Sequence, residues 1–272
     1  MKQIVLAILA TGFSMAALAQ IDSTGERVDT IKVGGMIIIK KHNPKDSTDH
    51  EVTIHKHHDN TPSNITTNWG IVDLGFANYN DKTVYSSDAA QQIAPNATDK
   101  DALGLRTGKS VDVNIWFFMQ RFNLIEHVVN LKYGLGVELN NYRYDRDVLF
   151  QKNPTKILAA TEDLKKSKLA ADYVTVPMLL NFNFTPKRDD GFGFSAGVSA
   201  GYLYSARYKN KDSHDDKHKL HDNFDLEKWK LSYIGELNLG VVKLYGSYAF
   251  KNMWEKGLDQ QPYNFGIRFS HW

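Results

Sequence analysis

Residues 131–140, LKYGLGVELN, alternate without a break. Leu131, Tyr133, Leu135, Val137 and Leu139 share one face of an extended chain, and Lys132, Gly134, Gly136, Glu138 and Asn140 share the other. Successive side chains of a β-strand point to opposite faces, so a period of two reads as a strand with one apolar side, whereas a helix would repeat near 3.6. The second side carries a lysine and a glutamate in mid-strand, and buried charges need partners.

The same period recurs in seven further segments. Val72, Leu74 and Phe76 oppose Asp73, Gly75 and Ala77; Val111, Val113, Ile115, Phe117 and Met119 oppose Asp112, Asn114, Trp116, Phe118 and Gln120. Beyond these, segments at 174–184, 192–204, 229–239, 242–250 and 263–270 alternate in the same way. The links between segments are alternately long and short, which puts every short turn at one end of an up-and-down sheet. Pro154 stands at a plausible first helical position, so the long link 154–168 is expected to hold a short helix. The charged runs of the other links read as solvated surface.

An all-β fold of this kind could be a soluble sandwich, a calycin-like binder or a barrel in lipid, and the decision rests on which face is inside. The apolar faces form whole stripes of Leu, Val, Phe and Tyr. The polar faces are mostly Gly, Ser and Asn with single charges, which suits the lumen of an eight-stranded barrel, wide enough only for side chains. The expected lumen charges are Asp73, Asp112, Glu138, Asp172 and Glu236 against Lys132, Lys230, Lys243 and Arg268, close to mutual cancellation. Trp69, Tyr79, Tyr202, Tyr204, Trp229, Trp254 and Trp272 lie near segment ends, as interfacial girdles require. Bulky Trp116 and Phe118 are expected to plug the passage. Trp272 is one step out of phase with Phe265, Ile267 and Phe269, so a bulge near Ser270 is expected to restore it.

Composition narrows the function classes. The 272 residues include no cysteine, which excludes disulfide scaffolds, thiolate metal sites, cysteine nucleophiles and a lipid-modified N-terminal cysteine. A net charge of +2 lacks the basic excess of a nucleic-acid binder. The 42% of hydrophobic residues is low for a soluble core of this length, but it suffices to coat the outside of a barrel. Residues 1–19 read as a signal peptide: Lys2, an apolar run, then Ala17, Leu18, Ala19 before the cleavage point. Residues 20–67 read as a periplasmic, poorly ordered extension with one or two short strands, in which Gly34 and Gly35 could turn a hairpin. The barrel is assigned to 68–272.

Three stretches carry a family resemblance: residues 68–79 (NWGIVDLGFANY), 173–184 (YVTVPMLLNFNF) and 191–204 (GFGFSAGVSAGYLY). They resemble the outer-membrane β-barrel domain family common in Bacteroidetes, sometimes called PorT-like, and the plan is similar to small OmpA/OmpX-type barrels. The resemblance implies an eight-stranded antiparallel up-and-down transmembrane β-barrel with an N-terminal extension, seated in the outer membrane of a Gram-negative bacterium, with periplasmic termini and long outer loops. It implies outer-membrane lipid and the barrel-assembly machinery as partners, and it transfers no activity.

Chemistry-bearing constellations are sparse. His214, His218 and His221 lie together in one long link, and the spacing of the first two would serve a metal on a helical turn, a weak candidate site only. G-x-S-x-G occurs at 193–197 and 197–201, but as part of a strand alternation and not at the strand-to-helix turn that presents a nucleophile, and the GKS at 108–110 lacks the glycine loop of a phosphate site. The sequence therefore points to a non-enzymatic barrel without cofactor, acting structurally or through an envelope or extracellular protein partner. A narrow transport pore and an outer-membrane lipid-modifying enzyme stand as the alternatives.

Overall fold

In a computed structural model of the chain, residues 63–186 and 191–270 are described in full, together with the backbone of four earlier strands. The chain divides into two units, Met1–Pro62 and Ser63–Trp272. In the first, β1 (Leu18–Ile21), β2 (Arg27–Val33), β3 (Met36–His42) and β4 (His50–Lys56) form an antiparallel sheet in sequence order. Val33 pairs with Met36, so two residues separate β2 from β3, and the turn expected at Gly34 and Gly35 itself lies outside the described residues. Four strands stand where the composition suggested one or two, because β-branched Val28, Thr30, Ile31, Val52, Thr53 and Ile54 favour extended backbone even in a polar tract. Residues 1–17 of the expected signal peptide, and Trp272, lie outside the described residues.

The second unit contains β5 (Ile65–Asp81), α1 (Asp88–Ile93), β6 (Val111–Ile125), β7 (Val129–Arg143), β8 (Val148–Gln151), β9 (Lys156–Ala159) and β10 (Leu164–Asn183). It continues with β11 (Phe192–Asp212), β12 (Lys217–His221), β13 (Trp229–Leu239), β14 (Val242–Ala249) and β15 (Gln260–Phe269). Eight of these, β5, β6, β7, β10, β11, β13, β14 and β15, pair antiparallel in sequence order, and β15 pairs with β5 to close the ring. Closure leaves no sheet edge, the condition for strands to stand in lipid. β12 folds back along the far end of β11, and β8 and β9 form a separate ribbon.

Burial decides the orientation of the strands. Asp73 and Asp112 are 0% exposed, while Val176 and Met178 are 50% and 54% exposed. A soluble core has the reverse arrangement; apolar residues in a continuous outer band with charges inside require an apolar solvent. The band includes Leu74, Ile115, Val174, Leu180, Phe194, Val198, Leu237, Leu244, Phe265 and Ile267. Trp69, Tyr202, Tyr204 and Trp229 are exposed with it, as a girdle requires.

Three features depart from the alternation. In β6, the ladder to β7 shifts between Trp116 and Phe118, so the phase reverses at Phe117. Phe118 therefore points outward, its ring 5.9 Å from that of Trp69, and Met119 is the residue that turns in and is fully buried. Gly70, at φ +67, makes the matching step in β5, a backbone that costs a side chain about 1–2 kcal/mol. The link 154–168 forms no helix: it holds β9 and the start of β10, so the proline signal was overridden by ribbon pairing of β8 with β9. Tyr79 and Trp254 are not girdle residues either, since both are buried beyond the band among the long connections.

Candidate functional site: the charged lumen and its cap

Inward positions of the ring bring together residues far apart in sequence. Arg268 of β15 and Asp73 of β5 are direct cross-strand partners, and the guanidinium grips the carboxylate with two bonds, Nε to Oδ1 at 2.7 Å and Nη2 to Oδ2 at 2.8 Å. A planar fork matched to a carboxylate is the strongest geometry such a pair adopts. Trp116 Nε1 also donates to Asp73 Oδ2 at 2.7 Å, and the guanidinium carbon lies 5.7 Å from the Trp116 ring centroid. The remaining Arg268 amino group donates to Glu236, which also accepts from Lys132. One chain of contacts thus runs from Trp116 through Asp73, Arg268 and Glu236 to Lys132.

Nearer the long connections, Lys230 donates to Glu138 at 2.6 Å, with its ammonium 5.5 Å from the Tyr173 ring centroid. Asp112 accepts from the Tyr245 hydroxyl and from Asn114 Nδ2. Lys243, at the short-turn mouth, donates to the Ser270 carbonyl at 2.7 Å. Ile71, Trp116, Met119 and Leu179 form an apolar block within the same lumen. Two cavities of about 40 and 20 Å³ remain between these groups, each room for one or two waters.

Eight of the nine charges expected in the lumen are there. Asp172 is not: it is the cross-strand partner of Leu139, and so shares that residue's outer face, where Arg207 of β11 holds it in an ion pair. Its neighbour Tyr173, opposite Glu138, is the one that enters the lumen. Asp172 has the parity of Val174 and Val176, so the period of two itself places it outside. Without it, the expected set has four acids and four bases. Arg121, paired with Lys132 across the ladder to β7, joins them at the mouth. The phase reversal at Phe117 hid it.

The far end of the lumen is covered by the four long connections. Tyr85, Ile93 and Leu103 of the first, Phe150 and Ile157 of the second, Phe224 and Leu226 of the third, and Met253, Trp254 and Leu258 of the fourth are buried in one apolar cluster with Tyr79, Tyr142 and Tyr208. Phe150 is central: its ring is stacked on Tyr208 at 4.8 Å and lies edge-on to Phe224 at 5.3 Å. Polar groups within the cap are partnered locally. Ser87 caps α1 by accepting from Ala90 N, Trp254 Nε1 donates to Gln260 Oε1 at 2.8 Å, and Ser167 and Tyr208 hydroxyls both donate to the Val148 carbonyl. The apolar residues of these links are therefore packed, while the charged run 213–219 is exposed, as expected of solvated surface. Isolated Phe, Trp, Met and Leu residues inside charged runs were the available signal.

The three candidate histidines do not converge. His214 is in the turn between β11 and β12, while His218 and His221 are three positions apart on a strand, hence on opposite faces. Asp212 pairs with His218 at 3.6 Å, and a helical spacing has no meaning in a hairpin.

A closed eight-strand ring with a charged lumen and an apolar exterior is what membrane insertion by strands demands. The sequence profile of the outer membrane protein beta-barrel domain family matches residues 68–254. The chain belongs to that family. Membership assigns this barrel to the outer membrane and leaves its particular role open. No curated protein matches the chain.

Proposed function

We propose that the protein is a closed, non-catalytic outer-membrane barrel whose capped end serves as an interaction surface for an envelope or extracellular partner. In this reading a signal peptide is removed, both termini are periplasmic, and the long connections face outward, as in the Bacteroidetes PorT-like barrels that the sequence resembles. The barrel-assembly machinery inserts it and outer-membrane lipid surrounds it.

One observation carries the reading. All four long connections contribute to a single apolar core across one mouth, and beneath it the Trp116–Asp73–Arg268–Glu236–Lys132 chain crosses the lumen. An open pore needs a continuous aqueous path, whereas here the path would cross both an apolar layer and ion pairs that are expensive to separate. Purified protein in planar bilayers is expected to give no stable conductance step. Stable open channels at neutral pH would replace this reading with that of a narrow transport pore.

A further inference from the structure

Beyond the lipid band, β7, β10, β11 and β12 lie side by side, and their registers line up cations. Arg143 pairs with Lys168, Lys168 with Lys209, and Lys209 with Lys219, a row of four across four strands. A second row runs Lys166, Lys211, Lys217. Direct cross-strand partners share a face at backbone spacings of about 4.7–4.9 Å. That face is the outer one, because the adjacent Tyr142, Leu169 and Tyr208 are buried in the cap.

Counter-charges are few. Lys211 reaches Asp215 at 2.7 Å, and Arg207 below the rows is matched by Asp172. Lys166, Lys168, Lys209, Lys217 and Lys219 hold no ion pair among the described residues. Like charges placed directly opposite destabilise a sheet. Partial burial and repulsion from Lys166, Lys209, Arg207 and Arg143 bring the Lys168 ammonium down to about 8. Such a lattice is complementary to a dense anionic surface.

Height selects the anion. Lys168 is six residues beyond Val174, the nearest band residue of β10, which is roughly 20 Å along the strand and roughly 14 Å along the barrel axis at the ~45° tilt of membrane strands. A phospholipid headgroup layer is only about 5–7 Å deep. We infer that the rows formed by Arg143, Lys166, Lys168, Lys209, Lys211, Lys217 and Lys219 are a binding surface for the phosphorylated saccharide headgroup of a surface glycolipid of the lipopolysaccharide class. The inference rests on the outward placement of the long connections.

The test uses the full chain, folded in detergent, mixed with lipopolysaccharide and separated by size exclusion. Glycolipid co-eluting with wild-type protein is expected to fall at least tenfold when the lipopolysaccharide is first dephosphorylated, and at least tenfold in the K166Q/K168Q/K209Q/K219Q variant. Excess phosphatidylglycerol is expected not to displace it. A matched variant, K82Q/K100Q/K251Q/K256Q, removes as many charges from other long connections and is expected to retain glycolipid as wild type does. Equal retention of intact and dephosphorylated glycolipid, equal retention by the two variants, or displacement by phosphatidylglycerol would each overturn the inference. The first comparison needs only wild-type protein, so it stands whether or not a variant folds. Conductance measurements address the closed-barrel reading separately.

Discussion

Arg268 is the residue on which the lumen turns, because it alone joins Asp73 to Glu236. Replacing it by Met is expected to leave Asp73 buried without its cation and Glu236 held by Lys132 alone, and to cost about 3–5 kcal/mol, read as a lower urea midpoint for unfolding from vesicles. The D73N/R268M pair should lose less than the sum of the single changes, since each removes the other's uncompensated charge. Gly75 tests close approach at the same level. A Cβ there would stand 2.5 Å from the Tyr245 hydroxyl and would collide with the Phe265 carbonyl. G75A is expected to destabilise by about 1–3 kcal/mol and to displace Tyr245 from Asp112. Most individual lumen charges were legible in the sequence, since period two fixes which side each residue takes. Their partners were not: Arg268 and Asp73 are 195 residues apart, and only ring closure makes them neighbours. Asp172 shows the converse, an acid whose burial comes from Arg207 outside the ring.

At the scale of elements, the strands were readable and the cap was not, for a physical reason. A strand with one face in lipid must alternate, so its pattern is written locally. The cap is assembled from short, aperiodic contributions of four connections, none of which has an apolar face of its own until the ring brings them together. The cap should accordingly respond as a unit. F150A removes the ring stacked on Tyr208 and packed against Phe224. It is expected to cost the cap about 3–5 kcal/mol while leaving the ring intact. Protease cleavage within the long connections should then rise with no change in heat-modifiable gel mobility. Alkali should do the same. Burial pushes the Tyr208 phenol up to about 12 from its ordinary 10. The unfolded cap would release that proton first, so the stabilisation is complete below pH 10 and is lost as pH rises through 12. Near-UV circular dichroism of the tyrosines should decline over that interval before the far-UV strand signal changes.

For the whole molecule, the deciding property is that apolar exposure and polar burial are exchanged relative to a soluble protein. This makes the energetic cost of a charge depend on height along the barrel. Val176 and Met178 lie in the middle of the outer band on β10, whereas Val84, 66% exposed, belongs to the first long connection beyond it. Replacing Met178 by Arg moves a guanidinium into the lipid mid-plane and is expected to cost about 2–4 kcal/mol. Replacing Val84 by Arg keeps the new charge in water and should change stability by less than about 0.5 kcal/mol. Both are measured as the urea midpoint for folding into vesicles. In micelles, where detergent can rearrange around a single charge, the M178R penalty should shrink. Equal penalties at the two positions would mean that the exposed apolar band does not face lipid, and the exterior would then have to be covered by another protein surface instead.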